Sequence, residues 1–184
     1  ATVTVVDNLA PIMACQDITV QLDASGNVAI LPADIDNGST DNCSVVLSLD
    51  ISAFTCADLG ANAVILTGTD PSGNTATCAA TVTVEDNILP TITCAADQSQ
   101  SVDPGTCSAA VTVIAPASAD NCAIVSSTND FNGSADASDI YPVGTTTVTW
   151  TVLDAAGNSA TCTQDITVID DEIPGINCAA NMTQ

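Results

Sequence analysis

The sequence predicts an all-β chain made of small sandwich domains in tandem, end to end. Two observations support this prediction. Valine, isoleucine or tryptophan alternates with threonine in several segments, for example residues 80–84 and 147–152, and period-two alternation is typical of strands with one buried face. In addition, one block of landmarks recurs along the chain, which indicates several copies of a single folding unit.

The repeat is clearest around Cys15, Cys94 and Cys178, which lie 79 and 84 residues apart. Each cysteine follows a strand-like segment that ends in acidic or amide residues, at 3–8, 82–87 and 166–171. We therefore divide the chain into the end of a preceding repeat (1–6), a first repeat (7–85), a second repeat (86–169) and the start of a third (170–184). Since the chain opens in mid-pattern, we expect a segment of something longer.

Two further landmarks keep their order in both repeats. The tripeptide Asp-Asn-Cys occurs at 41–43 and 120–122, and an Asp-x-x-Gly-Asn turn occurs at 70–74 and 154–158. Glycine and asparagine tolerate the positive φ that tight hairpin turns require. Several short strands per repeat, separated by such turns, predict an immunoglobulin-like sandwich.

The charge of the chain is one-sided. It contains 22 acidic residues, no lysine, arginine or histidine, and a formal net charge of −22. Such a chain repels nucleic acid and anionic membranes and attracts cations. Without histidine or lysine there is no near-neutral general base, so we predict that the protein is not an enzyme.

The nine cysteines include no Cys-x-x-Cys pair. Zinc sites use cysteine and histidine at short spacings, so disulfides in an oxidising compartment are the better interpretation. We therefore expect an extracellular protein at the cell surface. No run of 18 apolar residues is present, and we expect no membrane insertion in this segment.

The second repeat resembles the hyalin repeat (HYR) family. The resemblance rests on the segments at 86–87, 90–94, 120–122, 141–150 and 154–158, together with Cys162. The first repeat departs from the pattern at 54–60, where the Tyr-Pro-Val-Gly stretch is missing. The resemblance implies an extracellular β-sandwich used in adhesion or as a spacer, similar to repeats of large cell-surface and gliding adhesins of Bacteroidetes.

Each repeat has three cysteines at shared landmarks and one at its own place, Cys56 or Cys107. If homologous cysteines keep homologous roles, two shared cysteines pair together and the third takes the variable one, which leaves three arrangements. We prefer Cys15–Cys78 and Cys94–Cys162, because the first and last strands of such a sandwich run side by side. The remaining pairs are then Cys43–Cys56 and Cys107–Cys122, and Cys178 lacks a partner because its repeat is truncated.

The aspartate and asparagine landmarks meet at one end of an immunoglobulin-like sandwich. Carboxylate and amide oxygens without nitrogen or thiolate ligands suit Ca²⁺, although turn chemistry alone explains any single site. We predict calcium at the domain junctions, with ligands drawn from Asp7, Asn8, Asp41, Asp70, Asn74, Asp86, Asn87, Asp120, Asp154, Asn158, Asp170 and Asp171.

These predictions together suggest a structural segment of an extracellular filament or adhesin stalk, stiffened by disulfides within each domain and by calcium. The expected partners are neighbouring repeats of the same chain and possible further copies in a filament. Two alternatives stay open: a module that binds carbohydrate or protein, and a subunit of a self-assembling fibre.

Overall fold

The computed structural model describes residues 1–176 and divides into two compact units. The first unit contains Ala1–Leu89 together with two loops, Asp120–Ala123 and Asp154–Asn158. The second contains Pro90–Ala119, Ile124–Leu153 and the described residues from Ser159 onward. Each unit is a β-sandwich, as the sequence predicts. Within residues 1–176, no helix is long and apolar enough to cross a membrane.

The first unit is built on one four-stranded sheet faced by a shorter strand pair. The sheet has the order β1-β6-β5-β3 and the pair is β2-β4. The elements are β1 (Ile18–Gln21), β2 (Asn27–Ala29), helix α1 (Pro32–Ile35), β3 (Val46–Leu49), β4 (Ala53–Thr55), a 3-10 turn (Cys56–Asp58), β5 (Gly60–Thr69) and β6 (Thr75–Glu85).

The second unit repeats this topology. Its four-stranded sheet has the order β11-β13-β14-β8, faced by the pairs β9-β12 and β7-β10. The strands are β7 (Thr91–Thr93), β8 (Gln98–Ser101), β9 (Ser108–Val111), β10 (Ala117–Ala119), β11 (Ile124–Asn129), β12 (Asp139–Pro142), β13 (Gly144–Asp154) and β14 (Ser159–Ile169). In both units the first strand of the large sheet runs parallel to the last: β1 beside β6, and β8 beside β14.

Alternation along the long strands places the core as the sequence predicts. In β13, Val148, Trp150 and Val152 are fully buried, whereas the threonines between them are partly exposed. Tyr141 closes the second core from β12 and donates its hydroxyl hydrogen to the carbonyl of Ala137 at 2.7 Å. The first core is built from the equivalent positions of β5 and β6, with Leu66 and Val82 fully buried.

One element has no counterpart in the sequence pattern. Helix α1 is only four residues long, too short for a helical period. It begins at Pro32, whose fixed φ suits a first helical turn, and the Asp34 carboxylate accepts a hydrogen bond from the Leu31 N–H at 2.7 Å. A single turn of this kind depends on its local caps.

Candidate cation site and disulfide bonds

The hairpin turn between the two long strands of each repeat is organised by one buried aspartate. Asp154 accepts hydrogen bonds from the backbone N–H and side-chain amide of Asn158 at 2.7 and 2.8 Å. Asp70 accepts the same pair from Asn74 at 2.8 and 2.7 Å. Both aspartates are buried, at 1% and 4% exposure. Their carboxylate oxygens therefore have donors within the turn.

The asparagine of each turn also binds the linker. The amide of Asn74 donates to the carbonyl of Asp7 at 3.1 Å, and that of Asn158 donates to the carbonyl of Asp86 at 2.9 Å. Asp7 and Asp86 are equivalent residues of the repeat, and each begins a short turn, with Oδ1 accepting the N–H two residues later. The hairpin turn thus sets where the linker aspartate lies.

Hydrogen bonding lowers the pKa of Asp154. Burial acts to raise this pKa, but the bonds from Asn158, Gly157 and Ala156 together outweigh it. A carboxyl whose pKa is lower when folded contributes stability that is complete above its unfolded pKa, about 3.9, and is lost as pH falls through the folded value.

We expect Asp154→Asn to lower the free energy of unfolding at pH 7 by about 1–3 kcal/mol, because an amide places a donor opposite the Asn158 amide. As the pH falls below about 4 and through the lowered pKa of the folded carboxyl, the wild type loses this contribution and the difference should shrink. Denaturant unfolding from pH 3 to 7 measures it. Asp139→Asn makes the same charge change at an exposed strand position with one local hydrogen bond, and a parallel pH dependence in this control would contradict the assignment.

The Asp-Asn-Cys loop of each repeat approaches the same linker aspartate. In the two loops, the N–H of Cys43 or Cys122 donates to Asp41 or Asp120, at 3.0 Å in both cases. The intervening asparagine then donates to the linker: Asn42 to Oδ2 of Asp7 at 3.0 Å, and Asn121 to Oδ1 of Asp86 at 3.2 Å. Three separate segments of sequence therefore meet around Asp7 and again around Asp86, and both clusters lie in the first compact unit.

The cluster around Asp86 has acceptors without donors. Oδ2 of Asp86, Oδ1 of Asp120 and Oδ1 of Asn121 are buried and make no hydrogen bond with residues 1–176. Asp86 is 4% exposed, and its carboxylate lies within 4.8 Å of that of Asp120. Buried polar atoms are nearly always satisfied, and two close carboxylates repel each other. The chain has no basic side chain to compensate them, so these oxygens are suitable ligands for a hard cation.

Calcium is the cation that this set fits best. Its ligands are oxygens from carboxylates, amides, carbonyls and water, in flexible coordination, whereas zinc prefers nitrogen and thiolate. The Sγ of Cys122 also lies within 4.8 Å of the two carboxylates, but it is part of a disulfide and offers no thiolate. Asp86, Asp120 and Asn121 would hold the ion, and water or backbone carbonyls would complete its shell.

The cluster around Asp7 has the same plan in a more open setting. Asp7, Asp41 and Cys43 place ligand atoms within 4.8 Å of one another, with Cys43 exposed. The Leu9 N–H and the Asn42 amide lower the pKa of Asp7. The thiol of Cys43 lies 3.4 Å from the Asp7 carboxylate, which raises the pKa of this thiol. Cys43 is thus held as a neutral thiol at neutral pH.

The other predicted ligands lie outside these clusters. Asn8 and Asn87 are exposed, and the Asn87 amide donates to Gln21 at 2.7 Å. Asp170 begins the third linker turn, and Asp171 accepts the hydroxyl of Ser101 at 2.7 Å. Both are exposed. The sequence predicts the meeting of loops, but not that Asp70 and Asp154 are committed to turns or that Asn121 leaves an oxygen free.

Three disulfides form within the described residues. Cys15 is bonded to Cys78 and Cys94 to Cys162, the pairs expected from the neighbouring first and last strands. The expected pairs Cys43–Cys56 and Cys107–Cys122 do not form; the third bond joins Cys56 to Cys122.

This correction has a simple geometric reason. Cys122 lies in the Asp-Asn-Cys loop, which belongs to the first compact unit, where Cys56 follows β4. As expected, the cysteine of the Asp-Asn-Cys loop pairs with a cysteine that the two repeats do not share. That partner, Cys56, belongs to the preceding repeat. Among residues 1–176, Cys43 and Cys107 are free and exposed. Cys178 lies outside the described residues.

These features define a class of protein: a disulfide-bonded β-sandwich repeat module. Residues 85–168 match the family model of the HYR domain. Hyalin of Strongylocentrotus purpuratus is 36% identical over 132 residues, which cover 68% of this chain and 11% of that protein. The chain therefore spans about a tenth of this relative's length.

Some solved structures show a limited similarity to this chain. Human protocadherin-24 EC1-2 is 15% identical over 89% of this chain and all of that one, with a TM-score of 0.43. Drosophila N-cadherin EC1-4 is 11% identical over 88% of this chain and 50% of that one, with the same score. No functional inference follows from similarities at this level.

Proposed function

We propose that this chain is a structural segment of an extracellular filament or adhesin stalk, and that Ca²⁺ at Asp86, Asp120 and Asn121 fixes the linker between successive repeats. The observation that carries the proposal is the set of three buried oxygens without donors beside the linker. The HYR match and the hyalin relative support a role as an extracellular module. The filament role rests on the repeat itself.

The electrostatics of the cluster favour a bound ion. Two carboxylates within 4.8 Å of each other repel by about 3 kcal/mol at an effective dielectric constant of about 20. A divalent cation between them changes this repulsion into attraction. Because Asp86 begins the linker turn and Asp120 lies in the loop bonded to Cys56 through Cys122, the ion and the disulfide would hold the same short segment.

Calcium should raise the melting temperature, and EDTA should reverse the effect. Binding at 100 times the dissociation constant stabilises by about 2.7 kcal/mol, which corresponds to roughly 10 °C or more for a domain of this size. Asp86→Asn should abolish the response. In EDTA, the same variant should be more stable than wild type, because it removes the repulsion. Calorimetry with Ca²⁺, with Na⁺ at matched ionic strength as reference, measures both effects.

Glu85→Gln is the matched control. Glu85 is the neighbouring residue and is exposed, and among residues 1–176 its carboxylate accepts a hydrogen bond only from the Gln21 side chain, at 2.7 Å. The variant therefore removes one charge beside the cluster without removing a ligand. It should respond to calcium as wild type does. An equal response of wild type, Glu85→Gln and Asp86→Asn would show general charge screening and contradict the site, as would an X-ray scattering profile that chelation leaves unchanged.

The carbohydrate-binding alternative has less support. Sugar rings stack on exposed aromatic faces, but Trp150, Tyr141 and Phe54 are at most 2% exposed. Phe131 stacks on Tyr141 with ring centroids 4.3 Å apart. Among the aromatic residues, only Phe131 is therefore partly exposed, and we retain the structural role.

A further inference from the structure

Two exposed thiols, Cys43 and Cys107, have no partner among residues 1–176 and no part in the cation site around Asp86. They lie in different repeats and at different landmarks. Cys43 can be compared with Cys122 and Cys107 with Cys56, the two cysteines of the bond that does form.

Cys43 is equivalent to Cys122. Both end an Asp-Asn-Cys loop, and both donate their N–H to the loop aspartate at 3.0 Å. Both also lie beside the linker aspartate of their own repeat: the Sγ of Cys43 is 3.4 Å from the carboxylate of Asp7, and that of Cys122 is within 4.8 Å of the carboxylate of Asp86. The surroundings of Cys43 therefore reproduce one half of a formed disulfide.

Cys107 occupies the place of the other half. In the first unit, β2 and β4 pair Asn27 with Thr55, and the next residues outward are Gly26 and Cys56. In the second unit, β9 and β12 pair Ser108 with Pro142, and the next residues outward are Cys107 and Val143. In the first unit the cysteine adjoins β4, whereas in the second unit it adjoins β9, on the opposite strand of the equivalent pair.

Gly26 shows how close the two places are. A Cβ atom built on Gly26 would lie 2.6 Å from the Sγ of Cys56 and 2.8 Å from the carbonyl oxygen of Asn121. The Cβ atom of a side chain at this strand position would therefore lie next to the site of the bonded Cys56 sulfur. Cys107 has that strand position, and it lines an open groove with Asp170 and Glu172 of the following linker. The Gly105 N–H donates to Glu172 at 3.0 Å, which closes the turn onto that linker.

We propose that Cys107 forms a disulfide with the cysteine of an Asp-Asn-Cys loop in a following copy of the repeat, and that Cys43 receives one from a preceding copy. The chain would then be one link in a covalent, head-to-tail series. This inference rests on the proposed role as an array segment. Each bond forms as two thiols lose two protons and two electrons to a disulfide oxidant, such as oxidised glutathione, which becomes two thiols.

A second copy of this chain can supply the missing partner. We would use the full chain with Cys178→Ser throughout, at about 0.15 M salt to screen the negative charge, and compare three samples in a glutathione redox buffer: Cys43→Ser alone, Cys107→Ser alone, and an equal mixture. The first sample exposes only Cys107 and the second only Cys43. Non-reducing electrophoresis and peptide mass spectrometry identify the links.

We expect the mixture to form Cys43–Cys107 heterodimers about tenfold more abundantly than either variant forms homodimers. The Cys178→Ser chain that keeps both thiols should form a ladder of oligomers. As a control for accidental pairing, Ser99→Cys, at an exposed position of β8, in a chain lacking Cys43 and Cys107 should remain monomeric when mixed with either variant.

Heterodimers and homodimers in the ratio expected for random thiol pairing would overturn the proposal. A mixture that remains monomeric would also overturn it. A Cys107–Cys178 peptide from the oxidised natural chain would also overturn it. Comparing this linking experiment with the calcium melting experiment separates the two proposals. Specific linking without a calcium effect on melting would contradict the cation site alone, whereas a calcium effect without specific linking would contradict the disulfide series alone.

Discussion

Trp150→Ala is expected to lower the free energy of unfolding of the second unit by about 3–5 kcal/mol. Trp150 is fully buried in the second core, on β13 directly opposite Cys162. Its removal takes away the largest apolar contact and leaves a cavity that the rigid disulfide beside it hinders from closing. Since domains of this size are marginally stable, the loss should be a large part of the total.

Hydrogen exchange read by mass spectrometry can measure this effect separately in each unit. Exchange of residues 90–119 and 124–153 should accelerate, whereas exchange of residues 1–85 should change little, because distant sites act independently. Thr151→Ala is the control: it changes the next residue of the same strand, on the partly exposed face, and should cost no more than about 0.5 kcal/mol. A Trp150→Ala loss as small as that of the control would mean that Trp150 does not anchor the core.

Removing the Cys94–Cys162 bond by the double change to serine should have an effect of similar size. The bond closes a loop of 68 residues, and the chain-entropy estimate for such a loop is about 4 kcal/mol. Both sulfurs also pack against the second core, so the serine hydroxyls add a polar cost. Denaturant unfolding under non-reducing conditions measures the loss.

The equivalent double change at Cys15 and Cys78 provides the comparison. Its loop of 63 residues is nearly as long, so the entropic loss should be nearly equal and should fall on the first unit. A loss below about 1 kcal/mol in both pairs would indicate that the reduced chain keeps the compactness that the bonds impose.

The strands could be predicted from the sequence because their cause is local. Alternation in β13 and β14 follows directly from which side chains must face a core, and the repeated landmarks multiply the signal. Helix α1 could not be predicted, since one turn stabilised by Pro32 and Asp34 carries no periodicity. The nine cysteines likewise indicated disulfides, and the adjacency of first and last strands identified two of the pairs.

The sequence predicted which loops meet at the candidate site, but not which of their carboxylates are left to bind a cation. Aspartate and asparagine favour turns and also bind calcium, and sequence alone does not show which use each carboxylate serves. The structure separates them: Asp154 uses its oxygens within the turn, whereas Asp86 and Asp120 each keep a buried oxygen without a donor.

The sequence by itself determined the repeat, the all-β class, the excess of negative charge and the need for disulfides, because each depends on composition or on local periodicity. Only the tertiary structure decided that Cys56 bonds to Cys122 and that oxygens of Asp86, Asp120 and Asn121 are buried together. Both facts depend on a loop of the second repeat, Asp120–Ala123, belonging to the first compact unit. Contacts between residues far apart in sequence leave no local pattern, so the repeat boundaries did not show them.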